Sequence, residues 1–417
     1  MTRILMLCTR FPLGEGDEYL TNELAHALAR QGDEVSVVVI DWDAVPGTPS
    51  VTRRLDDSVV VLAVAPRTMT GLGPFVAKAS KWVLSSFAAM REVRRSFGDA
   101  GFDLLIAFSP ATVVAAQFIW CIRRFRPRSY FVLWDFFPFH QRSIGLLPGG
   151  LVFAVARGIE GWLIRRFDTI GCMSSLNVAY LKSHYRLRAA QRVEVLPIWG
   201  DITPPPVTAA AAIRAAFDLP PGKKIIVFGG QITEGRGVED VLAAARLAAG
   251  SRPDLVFLLI GSGRLAGLVA DQAAAADGGN IIYRPRVARR AYLGLLGACD
   301  VGLVCTVRDV DVPTFPSKLI DYLRAGLPVV ASVEASTDFG DFVVNRNLGL
   351  SVLAGDAEAL LRAVCTLVDQ PGRRTDAALS GRRALEEVFD VNRIAVQISR
   401  PSTGEARSSL DTAPSRS

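Results

Sequence analysis

The 417-residue sequence has only six cysteines (Cys8, Cys121, Cys172, Cys299, Cys305, Cys365), three histidines and no CxxC. That excludes a zinc site of the finger or ribbon kind, argues against a disulfide framework and points to a reducing compartment. No apolar stretch reaches ~18 residues without charge, so no transmembrane helix is expected. The opening Met1-Thr2-Arg3, with Ile4–Leu7 and then Thr9-Arg10, is too short for a signal peptide, so a cytoplasmic location is expected. Acidic residues are scarce in one region. Residues 67–192 hold 18 Lys and Arg against 6 Asp and Glu, a net of +12, whereas the whole chain nets +6. Such a field attracts a polyanion: anionic lipid, a pyrophosphate carrier or nucleic acid. No nucleic-acid-binding module is recognisable, so no nucleic acid is expected as partner. Half of the residues are apolar, which excludes disorder of the whole chain, and the length suits two to three domains.

Strand and helix patterns alternate. Arg3–Cys8, Glu34–Ile40, Val59–Val64, Leu104–Phe108, Tyr130–Trp134, Thr169–Cys172 and Val193–Leu196 read as strands, with helical spacing between most of them, as in Tyr19–Arg30. Near-continuous apolar strands separated by helices predict a parallel sheet covered on both faces. Pro204-Pro205-Pro206 and Pro220-Pro221 then mark a linker. The alternation restarts with strands at Lys224–Phe228, Leu255–Ile260, Asn280–Tyr283, Val301–Val304 and Leu327–Ala331 and helices at Val238–Ala248, Ser317–Ala325, Ala357–Val368 and Thr375–Val388. The fold class is therefore α/β, with two Rossmann-like doubly wound domains facing each other across a cleft. The expected division is 1–200, a linker at 201–222, a second domain at 223–380, a C-terminal helix at 381–398 packing back on the first domain, and a disordered tail at 399–417.

Ligands of such sheets bind at the strands' C-terminal ends. Four segments stand there. Phe11–Glu18 contains Gly14, Gly16 and Glu18; glycines before a helix let backbone N–H groups approach an anion, and a plain turn explains them equally. Gly229–Gly237 contains Gly230, Gln231 and Arg236, whose guanidinium could grip a diphosphate. Gly261-Ser262-Gly263-Arg264 follows a strand; close helix–sheet packing explains it nearly as well. Pro313–Val330 is the most informative. A helix opens near Pro316 and Ser317, Lys318 adds a full charge to its free N–H groups, and Asp321 lies a turn further in, where a carboxylate can accept from ribose hydroxyls.

Together these residues resemble the retaining, sugar-nucleotide-dependent glycosyltransferases of the GT-B fold (glycosyl transferases group 1, family 4), in particular the bacterial capsule and exopolysaccharide type. The resemblance spans roughly residues 3–395. Besides the four segments it includes Ser109-Pro110 and Val195–Asp201, which is similar to the family's crossover. It implies a UDP- or GDP-sugar as co-substrate, no other cofactor and no metal. It also implies an acceptor-binding first domain, a donor-binding second domain, and attack of an acceptor hydroxyl on the anomeric carbon with retention. The donor residues it implies are Gly14, Gly16, Gly230, Gln231, Arg236, Gly261, Gly263, Arg286, Pro316, Ser317, Lys318 and Asp321. The sequence departs from the family at Pro313, where the first of two paired glutamates is expected, and at Gln231, which stands for a diphosphate-binding arginine. Asp41-Trp42-Asp43 and Asp309-Val310-Asp311 read as DxD and are taken as solvated loop carboxylates.

On the acceptor side, Trp134-Asp135-Phe136-Phe137-Pro138-Phe139-His140 follows a strand, and Asp135, His140 or Glu18 is the candidate catalytic group. The aromatics could stack on a sugar or fill a domain interface. His26 is taken as structural and His184 as a surface residue. Phe75–Phe97 and Ile144–Arg166 interleave basic and apolar residues, which suits attachment to an anionic inner-membrane surface and a lipid-linked or oligosaccharide acceptor. A sugar-nucleotide epimerase and a non-catalytic scaffold of the same architecture are the rival readings.

Overall fold

The computed structural model describes residues 1–14, 19–55, 58–69, 74–204, 209–275 and 279–400, without the side chains of 74–79. Gly16, Glu18 and the expected tail beyond residue 400 lie outside the described residues.

The chain divides into two units. The first comprises Met1–Pro197 and the segment from Val391. Its elements are β1 (Arg3–Cys8), α1 (Leu20–Arg30), β2 (Glu34–Ile40), β3 (Val51–Arg54), β4 (Val59–Val64), α2 (Pro74–Phe97), β5 (Leu104–Phe108), α3 (Ala115–Phe125), β6 (Arg128–Leu133), α4 (Phe139–Ser143), α5 (Leu151–Ile164), β7 (Thr169–Cys172), α6 (Ser175–His184) and β8 (Arg192–Val195). The sheet runs β3-β4-β2-β1-β5-β6-β7-β8, all parallel except β3, which pairs antiparallel with β4. The Val/Ile-rich strands have both faces covered: Ile4 to Cys8 and Leu105 to Phe108 are fully buried. Phe118, Phe131 and Phe167 stack behind the sheet, with Phe167 4.1 and 4.7 Å from its two neighbours.

The second unit spans Ile198–Asp390. It contains α7 (Ala210–Ala216), β9 (Lys224–Gln231), α8 (Val238–Ser251), β10 (Leu255–Ser262), α9 (Ala266–Ala274), β11 (Ile281–Arg284), α10 (Arg289–Leu296), β12 (Val301–Cys305), α11 (Lys318–Arg324), β13 (Val329–Val333), α12 (Phe339–Asn345), β14 (Gly349–Leu353), α13 (Ala357–Asp369) and α14 (Pro371–Ala384). The parallel sheet runs β11-β10-β9-β12-β13-β14. Its core joins Ile226, Phe228, Phe257, Leu259 and Leu303 to Val241, Leu242, Leu360 and Val364 of the covering helices.

Two local differences from the sequence reading have physical causes. The expected linker 201–222 contains α7, anchored where Arg214 donates to the carbonyls of Lys223 and Ala298. The helix expected at Thr375–Val388 begins earlier, with Pro371 in its first turn where no N–H is needed, and ends in a π-helical turn at Leu385–Phe389. The last helix, α15 (Val391–Ser399), lies on the first unit: Gln31 donates to the Asn392 carbonyl at 3.0 Å and Arg128 to the Ser399 carbonyl at 2.9 Å.

Candidate functional site

In the second sheet strand order reverses between β9 and β12, which makes their C-terminal ends the switch point where ligands of such sheets bind. The two glycine signals of the sequence are one feature there. Gly229, Gly230 and Gln231 belong to β9 itself and pair with Ile260, Gly261 and Ser262 of β10, rather than forming a loop after the strand. Gly261 has φ +153°, and a Cβ on it would fall 1.7 Å from the Gly230 carbonyl oxygen, so only glycine lets the strand ends approach this closely. Gly230 (φ +113°) leaves room for the Lys318 stem, whose Cε lies 3.3 Å from where a Cβ would be. Gly263 is exposed just beyond β10.

A buried tyrosine braces these strands. The Tyr322 hydroxyl accepts the Gly229 N–H at 3.1 Å, donates to the Leu303 carbonyl at 3.1 Å, and bonds to the Tyr292 hydroxyl.

Lys318 is the first residue of α11. Its stem is partly exposed, but its ammonium is buried without a hydrogen-bond partner, 3.5 Å from the centre of the Phe228 ring. Burial, reinforced by the nearby Arg236 charge, pulls its pKa down to about 7. Arg236 is half-buried at the end of the loop leading to α8. Two cations from positions 82 apart in sequence thus share one strand edge. An unpaired buried ammonium is costly, and a dianionic ligand is the chemistry that would relieve it.

Other expected donor residues stand differently. Asp321 is not presented to a ligand as a free carboxylate: Arg289 holds both its oxygens in a bidentate pair at 2.8 and 2.9 Å. Ser317 makes no capping bond, and α11 has seven residues, so its N-terminus adds little beyond Lys318; Pro316 precedes it, half-buried. Arg286 is exposed beyond β11, two strands (~10 Å) from β9 and away from the switch point. Gln231 is exposed at the end of β9. Gly14 is exposed with open space where a Cβ would point, so nothing steric requires glycine there.

In the first sheet the order reverses between β1 and β5. The buried Ser109 hydroxyl after β5 accepts the N–H groups of Trp134 and Asp135, each at 3.0 Å, and fixes the end of β6. Asp135, just beyond β6, is exposed, while His140 is half-buried in the short α4. Two of the aromatics of this loop, Phe136 and Phe137, are not available to stack on a sugar. Phe136 and Phe137 are buried within the unit, Phe136 packs on Tyr180, and Tyr185 donates to the Phe137 carbonyl at 2.6 Å. His184 is exposed and stacks on Tyr180.

Sequence reading missed two buried acids. Glu160 of α5 accepts the N–H groups of Ala111 and Thr112 at 2.7 and 2.9 Å, and burial raises its pKa to about 7. It is the lone acid in an apolar helix, a signal the sequence did carry. Glu334, just after β13, accepts from the hydroxyls of Thr306 and Thr314. Among the described residues no group of three or more His, Cys, Asp or Glu is placed to hold a metal, so neither DxD forms a cluster there.

Comparison with known proteins adds two family matches: residues 16–199 match the family described as glycosyl transferase 4-like domain, and residues 223–370 the one described as glycosyl transferases group 1. A curated relative, the putative colanic acid biosynthesis glycosyl transferase WcaI of Escherichia coli, is 29% identical over 246 residues, which are 57% of this chain and 59% of that protein. The chain spans about three-fifths of the length of the first curated relatives it matches. Among solved structures, sucrose-phosphate synthase from Thermosynechococcus elongatus is 17% identical with a TM-score of 0.70, covering 96% of this chain and 98% of that one. HepE from Anabaena, solved with UDP-glucose, is 15% identical with a TM-score of 0.66 over 96% and 98%. These structural likenesses concern the fold.

Proposed function

The chain belongs to the group 1 glycosyl transferases, and from that premise we propose that it transfers a sugar from a UDP- or GDP-sugar to a lipid-linked saccharide, in polysaccharide biosynthesis. The observation that carries the donor reading is the unpartnered Lys318 ammonium beside Arg236 at the sheet's switch point. In this reading these cations take up the charge of the departing diphosphate without a metal, and the anomeric configuration is retained. The UDP-glucose complex of HepE supports a nucleotide-sugar donor. Asp135 is the favoured group to receive the acceptor proton, because its carboxylate is exposed at the C-terminal end of β6. A melting-temperature panel with UDP, GDP, ADP, dTDP and NAD tests the donor reading. One nucleoside diphosphate should raise the transition by several degrees at millimolar concentration. A shift with NAD alone would overturn the reading.

The acceptor reading includes docking of the first unit on the inner face of the cytoplasmic membrane. No described helix is long and apolar enough to cross a membrane. Yet α5 exposes Leu151 (80%), Val155 (52%), Ile159 (48%) and Trp162 (49%), spaced so that they share one face. At its C-terminal end Arg166 covers the Trp162 ring, and burial with the charges of Arg123 and Arg165 holds the Arg166 pKa below the usual range. An apolar ridge ending in mutually repelling arginines matches an anionic lipid surface. The chain should cosediment with phosphatidylglycerol vesicles and not with phosphatidylcholine vesicles. The paired changes Val155→Glu and Ile159→Glu should abolish this without altering the circular dichroism. Dimerisation of the wild type through the same ridge would reassign it to a second copy.

A further inference from the structure

We propose that Glu334 is a positioning residue of the donor site, stapling the loop that delivers Lys318 and backing the turn that carries Arg236; this rests on the donor reading above. Residues 306–317, between β12 and α11, form a long connection without regular structure. The segment after β13 ties it down at three points. Glu334, 2% exposed, accepts from the Thr306 hydroxyl through one oxygen and from the Thr314 hydroxyl through the other at 2.7 Å. Its own N–H donates to the Thr306 hydroxyl oxygen at 3.1 Å. Ser336 donates to the Val310 carbonyl and Thr337 to the Thr314 carbonyl, both at 2.5 Å.

The anchored points matter because of what adjoins them. Thr314 stands four residues before Lys318. The Thr306 carbonyl lies 2.5 Å from where a Cβ on Gly237 would be, so Thr306 backs the left-handed residue that opens α8 next to Arg236. Lys318 and Arg236 repel each other, and no hydrogen bond holds the Lys318 ammonium. The loop's own anchorage therefore keeps the two cations close before any ligand arrives. Because both Glu334 oxygens are occupied by hydroxyl donors, the residue acts through the loop rather than on the ligand.

The test titrates the 417-residue chain with the nucleoside diphosphate that shifts the wild-type melting temperature most. Glu334→Ala should bind it ~10-fold or more weakly, the loss expected when hydrogen bonds to a charged group are removed. Glu334→Gln, which can still accept from one hydroxyl and donate to the other, should come within ~3-fold of wild type. Asp300→Asn, a buried acid at the opposite end of the same sheet, should lower the melting temperature and leave affinity unchanged. If Glu334→Ala does not fold, Thr314→Val removes a single staple and should bind ~3-fold more weakly. Wild-type affinity in a folded Glu334→Ala or Thr314→Val would overturn the proposal. So would a Glu334→Gln no better than Glu334→Ala, which would place the charge itself on the ligand. A wild type that binds no nucleoside diphosphate would instead remove the donor reading beneath it.

Discussion

Lys318→Met will bind a nucleoside diphosphate ~30-fold or more weakly than the wild type and will unfold at a higher temperature, because one buried charge has opposite effects on the two properties. The free protein carries the ammonium at a site that penalises it: buried, over an aromatic ring, next to another cation and without a hydrogen bond. The pKa is about 7 in the folded chain against 10.5 for an unperturbed lysine, so between those values the unfolded state binds more protons. Stability contributed at this position therefore rises with pH through that window and is poorest below it. Methionine fills the same space without charge and should return about 2 kcal/mol near neutral pH. Binding reverses the sign. A diphosphate favours the ammonium, so at pH 8 the wild type should take up a fraction of a proton on binding. Calorimetry in buffers of different ionisation enthalpy would measure that uptake, and Lys318→Met should lack it. Equal affinity of wild type and Lys318→Met would remove Lys318 from the donor site.

The same residue shows what the sequence carries and where it stops. The apolar runs at Ile4–Cys8, Val35–Ile40 and Ile225–Phe228 specify buried parallel strands, because both faces demand apolar residues and nothing distant can reverse that. Strand β3 has no such signature: Val51-Thr52-Arg53-Arg54 is exposed at every position and is a strand only because β4 offers it an edge. Lys318 and Arg236 were legible singly, since each stands after a strand. Their proximity was not, because it depends on β9 and β12 being neighbours. The capture of Asp321 by Arg289 is of the same kind, a pairing across 32 residues that spacing does not encode. So is the Glu334 staple, whose partners lie 28 and 20 residues upstream. Local chemistry is written locally, while the pairing of charges is decided by topology.

Glu160 extends that argument to the first unit and to pH. Its carboxylate is fully buried and caps the turn after β5, accepting from Ala111 and Thr112, while α5 turns Ile159 and Trp162 outward. Desolvation outweighs these two hydrogen bonds and raises its pKa from 4.5 to about 7. Tyr185 feels the charge of Glu160 here, along with Tyr180 and Arg157. A pKa raised on folding means that the native state holds the extra proton, so this contribution to stability is present below pH ~4.5 and is lost as pH rises towards 7, by ~2–3 kcal/mol. Glu160→Ala orphans two N–H groups and leaves a cavity, and should cost ~3 kcal/mol at pH 5. Glu160→Gln cannot ionise, and its amide faces one N–H with another donor, so it should be less stable than the wild type at pH 5 by ~1–2 kcal/mol. Because only the wild type must ionise, that gap should close and then reverse as pH rises from 5 towards 7, and level off above it. Urea unfolding of both proteins across this range decides the matter. A gap that stays constant or widens would mean that the two N–H groups already hold an ionised carboxylate at low pH, and that desolvation does not govern this helix.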